Sequence, residues 1–178
     1  MKSTLQAGNF LKLISKHLPD MLWAKDLEGN YLYANESICK NLLMARTNAV
    51  IGKNDVYFAT RERTKHSSNK QLHTFGVLCF NSDYVVLEHM KPMIFEEYGN
   101  IKGELVYLEV HKAPLHDSNG VLIGTIGSGR DITTQVMLEK QNEKLAFYDQ
   151  LTGLQNRQKL FVDISKKTSI ISSRWAVS

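Results

Sequence analysis

The sequence predicts an α+β fold: five antiparallel strands in one sheet with helices on one face, an N-terminal helix before it and a further helix after it. Two strand-like runs flank a Gly-Asn turn near the start. Three more form a meander before residue 131, and the text between the two groups reads as helix and connector. Two strands, helices, then three strands can share one sheet whose apolar face the helices cover.

Taken in order, Phe10, Leu11, Leu13 and Ile14 lie on one side of a short amphipathic helix over 10–17, which Leu18-Pro19-Asp20 stops. Residues 21–25 form a strand, 26–30 a turn in which Gly29 and Asn30 accept positive φ, and 31–34 the returning strand. Asn35 caps a helix running to about residue 44, with Ile38, Leu42 and Leu43 on one side. Val50-Ile51-Gly52 is a connector, and the polar stretch 61–72 is helical. Ser82-Asp83 caps a helix over 84–90 that Pro92 ends. Strands follow at 93–97, 104–113 and 121–130, joined by a loop over 99–103 and by the hairpin turn Asp117-Ser118-Asn119-Gly120.

From Ile132 to Tyr148 there is no Gly or Pro. Gln135, Leu138, Asn142, Leu145 and Asp149 recur at spacings of three and four. That pattern fits a coiled-coil seam in which Asn142 sets the register, and equally an amphipathic linker lying on its own domain.

Composition restricts the function classes. The 178 residues are 43% hydrophobic and 22% charged, enough for one domain and an appendage. No apolar run is long enough to span a membrane, and the first ten residues lack the apolar stretch of a signal peptide, so a cytoplasmic location is expected. Cys39 and Cys79 lack metal-site spacing and read as buried thiols. His66, His73, His89 and His111 likewise lack compact metal spacing, so no metal is expected. The net charge of +4 is dispersed, with no basic stripe carrying interleaved aromatics, so nucleic acid is not expected as a partner. No nucleophile–base constellation marks an enzyme.

Leu18-Pro19-Asp20, Lys25 to Tyr31, Asn35, Ile51-Gly52-Lys53 and Lys112-Ala113-Pro114-Leu115 with Asp117 and Gly120 stand in an order and spacing that resemble the PAS family of sensor domains. The closing run from Ile123 to Thr133 carries the most specific part, Asp131-Ile132-Thr133, by which such domains enter their output helix. A second run, Asp149-Gln150-Leu151-Thr152-Gly153-Leu154-Gln155-Asn156-Arg157, resembles the opening of a GGDEF (diguanylate cyclase) domain. The resemblance divides the chain into an N-terminal helix (1–17), a PAS domain (18–133), a signalling helix (134–148) and the start of a GGDEF domain (149–178). The Gly-Gly-Asp/Glu-Glu-Phe motif does not occur, so no catalysis is expected of this chain, read as a segment of a longer cyclase or a truncated gene product.

The resemblance implies a small-ligand pocket. Alternation puts Val106, Leu108, Val110 and Lys112 on one face of the long strand, and the resemblance turns that face inward. Trp23 and Lys25, Tyr33, Ile38, Leu42, Phe58, Leu87 and Met90 complete the implied lining. Thr125, Gly127 and Gly129 join them, the glycines leaving space. Two lysines in an aromatic-lined cavity favour an anionic ligand such as a carboxylate; the alternative is that Lys25 and Lys112 reach to water while Trp23 fills the core. A flavin photosensor is not expected, since Asp55 stands where light-sensing members carry their cysteine. Haem is not expected either, since Ser82 stands where haem-binding members carry a histidine. Asp131, Thr133, Leu138, Asn142 and Leu145 are the implied path of the signal. The resulting expectation is an input module that binds a small ligand, dimerises, and controls a C-terminal GGDEF domain. A ligand-free dimerisation module and a haem-based gas or redox sensor are its rivals.

Overall fold

The computed structural model describes residues 7–65, 73–149 and 152–160, without the side chains of 7, 9, 11 and 77–80. Two compact units divide at Thr133/Thr134.

The first unit is built on a five-stranded antiparallel sheet in the order β2-β1-β5-β4-β3. Its strands are β1 (Met21–Lys25), β2 (Tyr31–Ala34), β3 (Met93–Ile101), β4 (Glu104–His116) and β5 (Leu122–Asp131). The opening hairpin and the closing meander meet where β1 pairs with β5, Trp23 opposite Gly127 and Lys25 opposite Thr125. Helices α1 (Ala7–His17), α2 (Glu36–Asn41), α3 (Asp55–Lys65) and α4 (Gly76–His89), with a 3-10 turn at Thr47–Ala49, make up the rest of this unit. The core packs Trp23, Tyr31, Ile38, Leu42, Phe58, Phe75, Leu108 and Val110 together.

Both tight hairpin turns use the same chemistry. Asp26 Oδ1 accepts hydrogen bonds from the Glu28 and Asn30 N–H groups, and Asp117 Oδ1 accepts from those of Asn119 and Val121. Gly29 and Gly120 supply the positive φ each turn needs, 81° and 80°. The backbone donors of Val121 and Asn119 hold the Asp117 carboxyl below the usual carboxylate range.

Asn35 does more than cap α2. Its Oδ1 accepts from Ile38 N (3.2 Å) and Leu22 N (3.1 Å), while Nδ2 donates to Ser15 O (3.0 Å) and Asp20 O (2.9 Å). One buried amide thereby joins α1, β1 and α2. Arg61 of α3 donates from Nη2 to the carbonyls of Leu43 and Met44 at 2.7 and 2.9 Å, satisfying acceptors just beyond the end of α2.

Several boundaries differ from the sequence-based expectation. Helix α2 stops at Asn41 rather than about residue 44, and Met44 takes a left-handed φ of 49°. Helix α3 begins at Asp55, well before residue 61; the remainder of the expected 61–72 helix, past residue 65, lies outside the described residues. Helix α4 begins at Gly76, so Ser82 and Asp83 are mid-helix instead of caps, and both side chains are buried. Strand β3 runs through the expected loop to Ile101, leaving Lys102 and Gly103 as the turn. Thr74 fixes that extension: its N–H donates to Asn100 O at 3.0 Å, and its Oγ1 accepts from Asn100 N at 2.8 Å. A Cβ at Gly99 would lie 2.6 Å from the same Oγ1, so a side chain there would break the contact.

The second unit contains most of α5 (Thr133–Phe147), followed by an isolated bridge between Tyr148 and Gln155. Asp149 Oδ1 accepts from the N–H and the hydroxyl of Thr152, and Asn156 Nδ2 donates to Ala146 O. Among the described residues no helix is long and apolar enough to cross a membrane.

Candidate functional site

Five ionisable side chains meet inside the core. Lys25 and Lys112 come from the inner faces of β1 and β4, Glu97 from β3, Asp55 from the first turn of α3, and Asp83 from the middle of α4. Each is at most 6% exposed. Lys25 Nζ donates to Asp55 Oδ2 and, at 2.6 Å, to Asp83 Oδ2. Asp83 bridges the two lysines: its Oδ1 lies 2.7 Å from Lys112 Nζ, at an angle that makes an ion pair without a hydrogen bond. Lys112 Nζ also donates to Ser82 Oγ at 2.6 Å and sits 3.5 Å from Glu97 Oε1, which accepts from the Ser82 hydroxyl. Tyr31 completes the set, its hydroxyl donating to Asp55 Oδ1 at 2.5 Å.

Among the described residues, three carboxyl groups and two lysine amines share this cluster. Removing these ions from water costs several kcal/mol for each, which their mutual attraction only partly offsets. A core kept for stability alone would be better served by apolar residues of similar volume.

The cluster borders a cavity of about 10 Å³, roughly the space of one water. Met21, Trp23, Lys25, Tyr31, Asp55, Glu97 and Lys112 are among its walls. Trp23 closes one side. A Cβ at Gly127 would lie 2.5 Å from indole Cε2 and Cζ2, and one at Gly129 would lie 3.3 Å from Cζ3. The glycines therefore do not leave space, as the sequence suggests; the indole lies over them and occupies it. Trp23 Nε1 and Thr125 Oγ1 are buried with no hydrogen-bond partner among the described residues. Buried polar atoms are nearly always paired, so the orphan indole N–H of Trp23, a residue of the cavity wall, marks the cavity as a place for a hydrogen-bonding guest.

Of the pocket residues expected from sequence, Trp23, Lys25, Ile38, Leu42, Leu108, Val110 and Lys112 line this cavity. Thr125, Gly127 and Gly129 share the inner face of β5, and Phe58 packs edge-on to Tyr31 at 6.2 Å. Val106 is half-buried against the core. The others are elsewhere: Tyr33 bonds through its hydroxyl to Ser15 of α1, Leu87 is half-buried on α4, and Met90 is 49% exposed at the left-handed end of that helix. Sequence reasoning did not place Tyr31, Asp83 and Glu97 at the site, and noticed Asp55 and Ser82 only where a cysteine or a histidine was absent. It expected cations awaiting an anion. The structure supplies both lysines with internal carboxylates, which removes the ground for an anionic ligand.

At the exit of the sheet, Asp131 Oδ1 accepts from Thr133 N at 2.9 Å, an Asx turn that leads into α5. Thr133 Oγ1 accepts from Tyr107 N at 2.9 Å, and Ile132 N donates to Tyr107 O at 2.9 Å, so the start of α5 is bonded to β4. Lys112 lies on that same strand. Leu138, Asn142 and Leu145 are exposed along α5. Thr133→Val removes the acceptor of the Tyr107 N–H; a loss of about 1–2 kcal/mol is expected in chemical denaturation, recovered by Thr133→Ser.

The other thiol-bearing site is inert. Cys39 is buried, and burial together with Glu36 pushes its thiol up to about 11, so it is protonated at neutral pH. The Cys79 side chain lies outside the described ones.

Comparison with known proteins agrees with this architecture. The sequence pattern of the PAS fold matches residues 76–136. A diguanylate cyclase of Vibrio cholerae serotype O1 (Classical Ogawa 395) is 31% identical over 155 residues, 85% of this chain and 44% of that protein. Among solved structures, VqmA bound to DPO superposes with a TM-score of 0.54 at 25% identity, covering 68% of this chain and 57% of VqmA. A Vibrio cholerae VqmA dimer solved in the absence of its target DNA gives 0.52 at 25%, covering 70% and 52%. The chain thus spans about half the length of these three proteins. These findings establish the PAS fold. They also overturn the partner expectation drawn from sequence: neighbours of this fold include a DNA-binding receptor, so dispersed surface charge gives no ground for excluding nucleic acid.

Proposed function

We propose that this PAS domain is the sensory input of a signalling protein and that it controls an attached diguanylate cyclase through α5. Its ligand, on this reading, is a small hydrogen-bonding molecule held beside the buried ionic cluster. The observation that carries the reading is that cluster: five buried charges, four of them on the wall of a cavity also lined by Trp23, whose Nε1 has no partner among the described residues, at a desolvation cost that apolar residues would not bear. Trp23 offers both an aromatic face and an N–H with no partner among the described residues. A guest larger than water enters by displacing the indole from the glycines beneath it.

The output side rests on two supports. The relative named diguanylate cyclase aligns over 85% of this chain, and the run from Asp149 to Arg157 resembles the entrance to a GGDEF domain. Strand β4 carries Lys112 at the cluster and Tyr107 at the start of α5, so a shift of that strand is felt at both. The second reading, a PAS module without a ligand, is favoured by the cavity of only about 10 Å³.

The test is cyclase turnover of GTP by the full-length protein that carries this segment. Glu97→Gln, which removes the Glu97–Lys112 ion pair, and Thr133→Val, which loosens β4 from α5, are each expected to shift the rate about fivefold or more. Turnover unchanged in both variants would contradict the reading.

A further inference from the structure

We propose that a groove between α1 and α2 is a second ligand site, built for a small phosphate-bearing molecule with an apolar body. The groove has a volume of about 1210 Å³, somewhat above the roughly 300–1,000 Å³ of ordinary small-molecule sites and so roomy enough for a nucleotide-sized guest. It is separate from the core cavity and shares no lining residue with it.

Its charge is one-sided. Lys12 and Lys16 of α1, Lys40 of α2, Arg46 before the 3-10 turn and Lys102 of the β3–β4 turn line it, and none forms an ion pair among the described residues. Two carboxylates oppose them, and Glu62 is already engaged by Arg61 at 2.8 Å and Lys65 at 3.2 Å. Hydrogen bonds from those two cations outweigh burial and hold its carboxyl below the usual range. Lysines on an open surface are ordinarily just solvated. Here they converge from separate elements on one concavity, where their fields add.

The floor supplies the second observation. His73 is 3% exposed, lines the groove, and its Nδ1 has no partner among the described residues. Burial lowers its pKa, so the ring presents neutral nitrogens rather than another fixed charge. Ala34, Met44 and Ala45 add apolar surface and Tyr33 an aromatic ring. The α1 wall is anchored: Ser15, between Lys12 and Lys16, bonds the Tyr33 hydroxyl, and its carbonyl accepts from Asn35 Nδ2. Several separated cations suit a chain of phosphates better than one carboxylate, and the apolar wall suits the rest of a nucleotide-sized molecule.

The test is isothermal titration of ATP into the purified chain, with inorganic tripolyphosphate as competitor. Saturable one-to-one binding is expected, weakened about tenfold or more by Lys16→Glu with Lys40→Glu, retained by Lys16→Arg with Lys40→Arg, and unaffected by Lys91→Glu outside the groove. Matching thermal melts of the variants establish that each is folded. Absence of saturable binding up to about 5 mM ATP, full affinity in the double Glu variant, or an equal loss in Lys91→Glu would each overturn the proposal.

Discussion

Lys25→Ala is expected to destabilise the domain by about 3–5 kcal/mol, because it leaves Asp55 buried without its ion pair and Asp83 with Lys112 alone. The loss should appear as a fall in melting temperature of roughly 10 °C or more. The cost falls mainly on Asp55, which loses its ion pair and keeps the Tyr31 hydroxyl, while Asp83 retains Lys112. Lys25→Met combined with Asp55→Asn removes one charge of each sign and keeps an oxygen for the Tyr31 hydroxyl, so it is expected to recover most of the loss. Strong coupling between the two sites in a double-mutant cycle is the predicted signature. A Lys25→Ala loss below about 1 kcal/mol, additive with Asp55→Asn, would mean that water reaches the cluster and that its charges are solvated.

Gly124→Ala is the second large effect. Gly124 has φ +152°, and a Cβ there would lie 1.8 Å from Lys25 O and 2.9 Å from Asp26 Cα. Backbone cannot step aside as a side-chain tip can, so the end of β1 would have to part from the start of β5. The φ strain and the overlap together cost about 3 kcal/mol or more. Because Lys25 sits at that junction, the change also displaces the cation from its carboxylates. Gly120→Ala gives a useful contrast: it meets no atom within 4 Å and bears only the cost of its positive φ of 80°. Urea denaturation of the two variants measures the difference directly.

The contrast between what was and was not legible follows from these residues. The opening hairpin and the inward face of β4 could be read because strand alternation and turn-forming Asp, Asn and Gly act locally. The missed features are those where tertiary structure overrides local preference. Ser82 and Asp83 look like a cap because such side chains compete for backbone hydrogen bonds, yet mid-helix they face Lys112, Glu97 and Lys25. Gly99 and Asn100 look like a loop, but Thr74 holds them in β3. Asp55 and Glu97 are single acids in polar text, where the ordinary inference is solvent. Only the sheet register and the approach of α3 and α4 bring them to one point. Glycines at 127 and 129 suggested empty space because nothing in the sequence shows where the Trp23 ring lies.

The central claim, a hydrogen-bonding ligand beside the buried cluster, is tested most directly by native mass spectrometry of the purified chain against its denatured mass. The chain is measured as isolated and again after incubation with the small-molecule fraction of a cell lysate. The account predicts a noncovalent adduct that is lost on denaturation and diminished in Glu97→Gln. A bare mass in both preparations, or an adduct equally retained by Glu97→Gln, would contradict it.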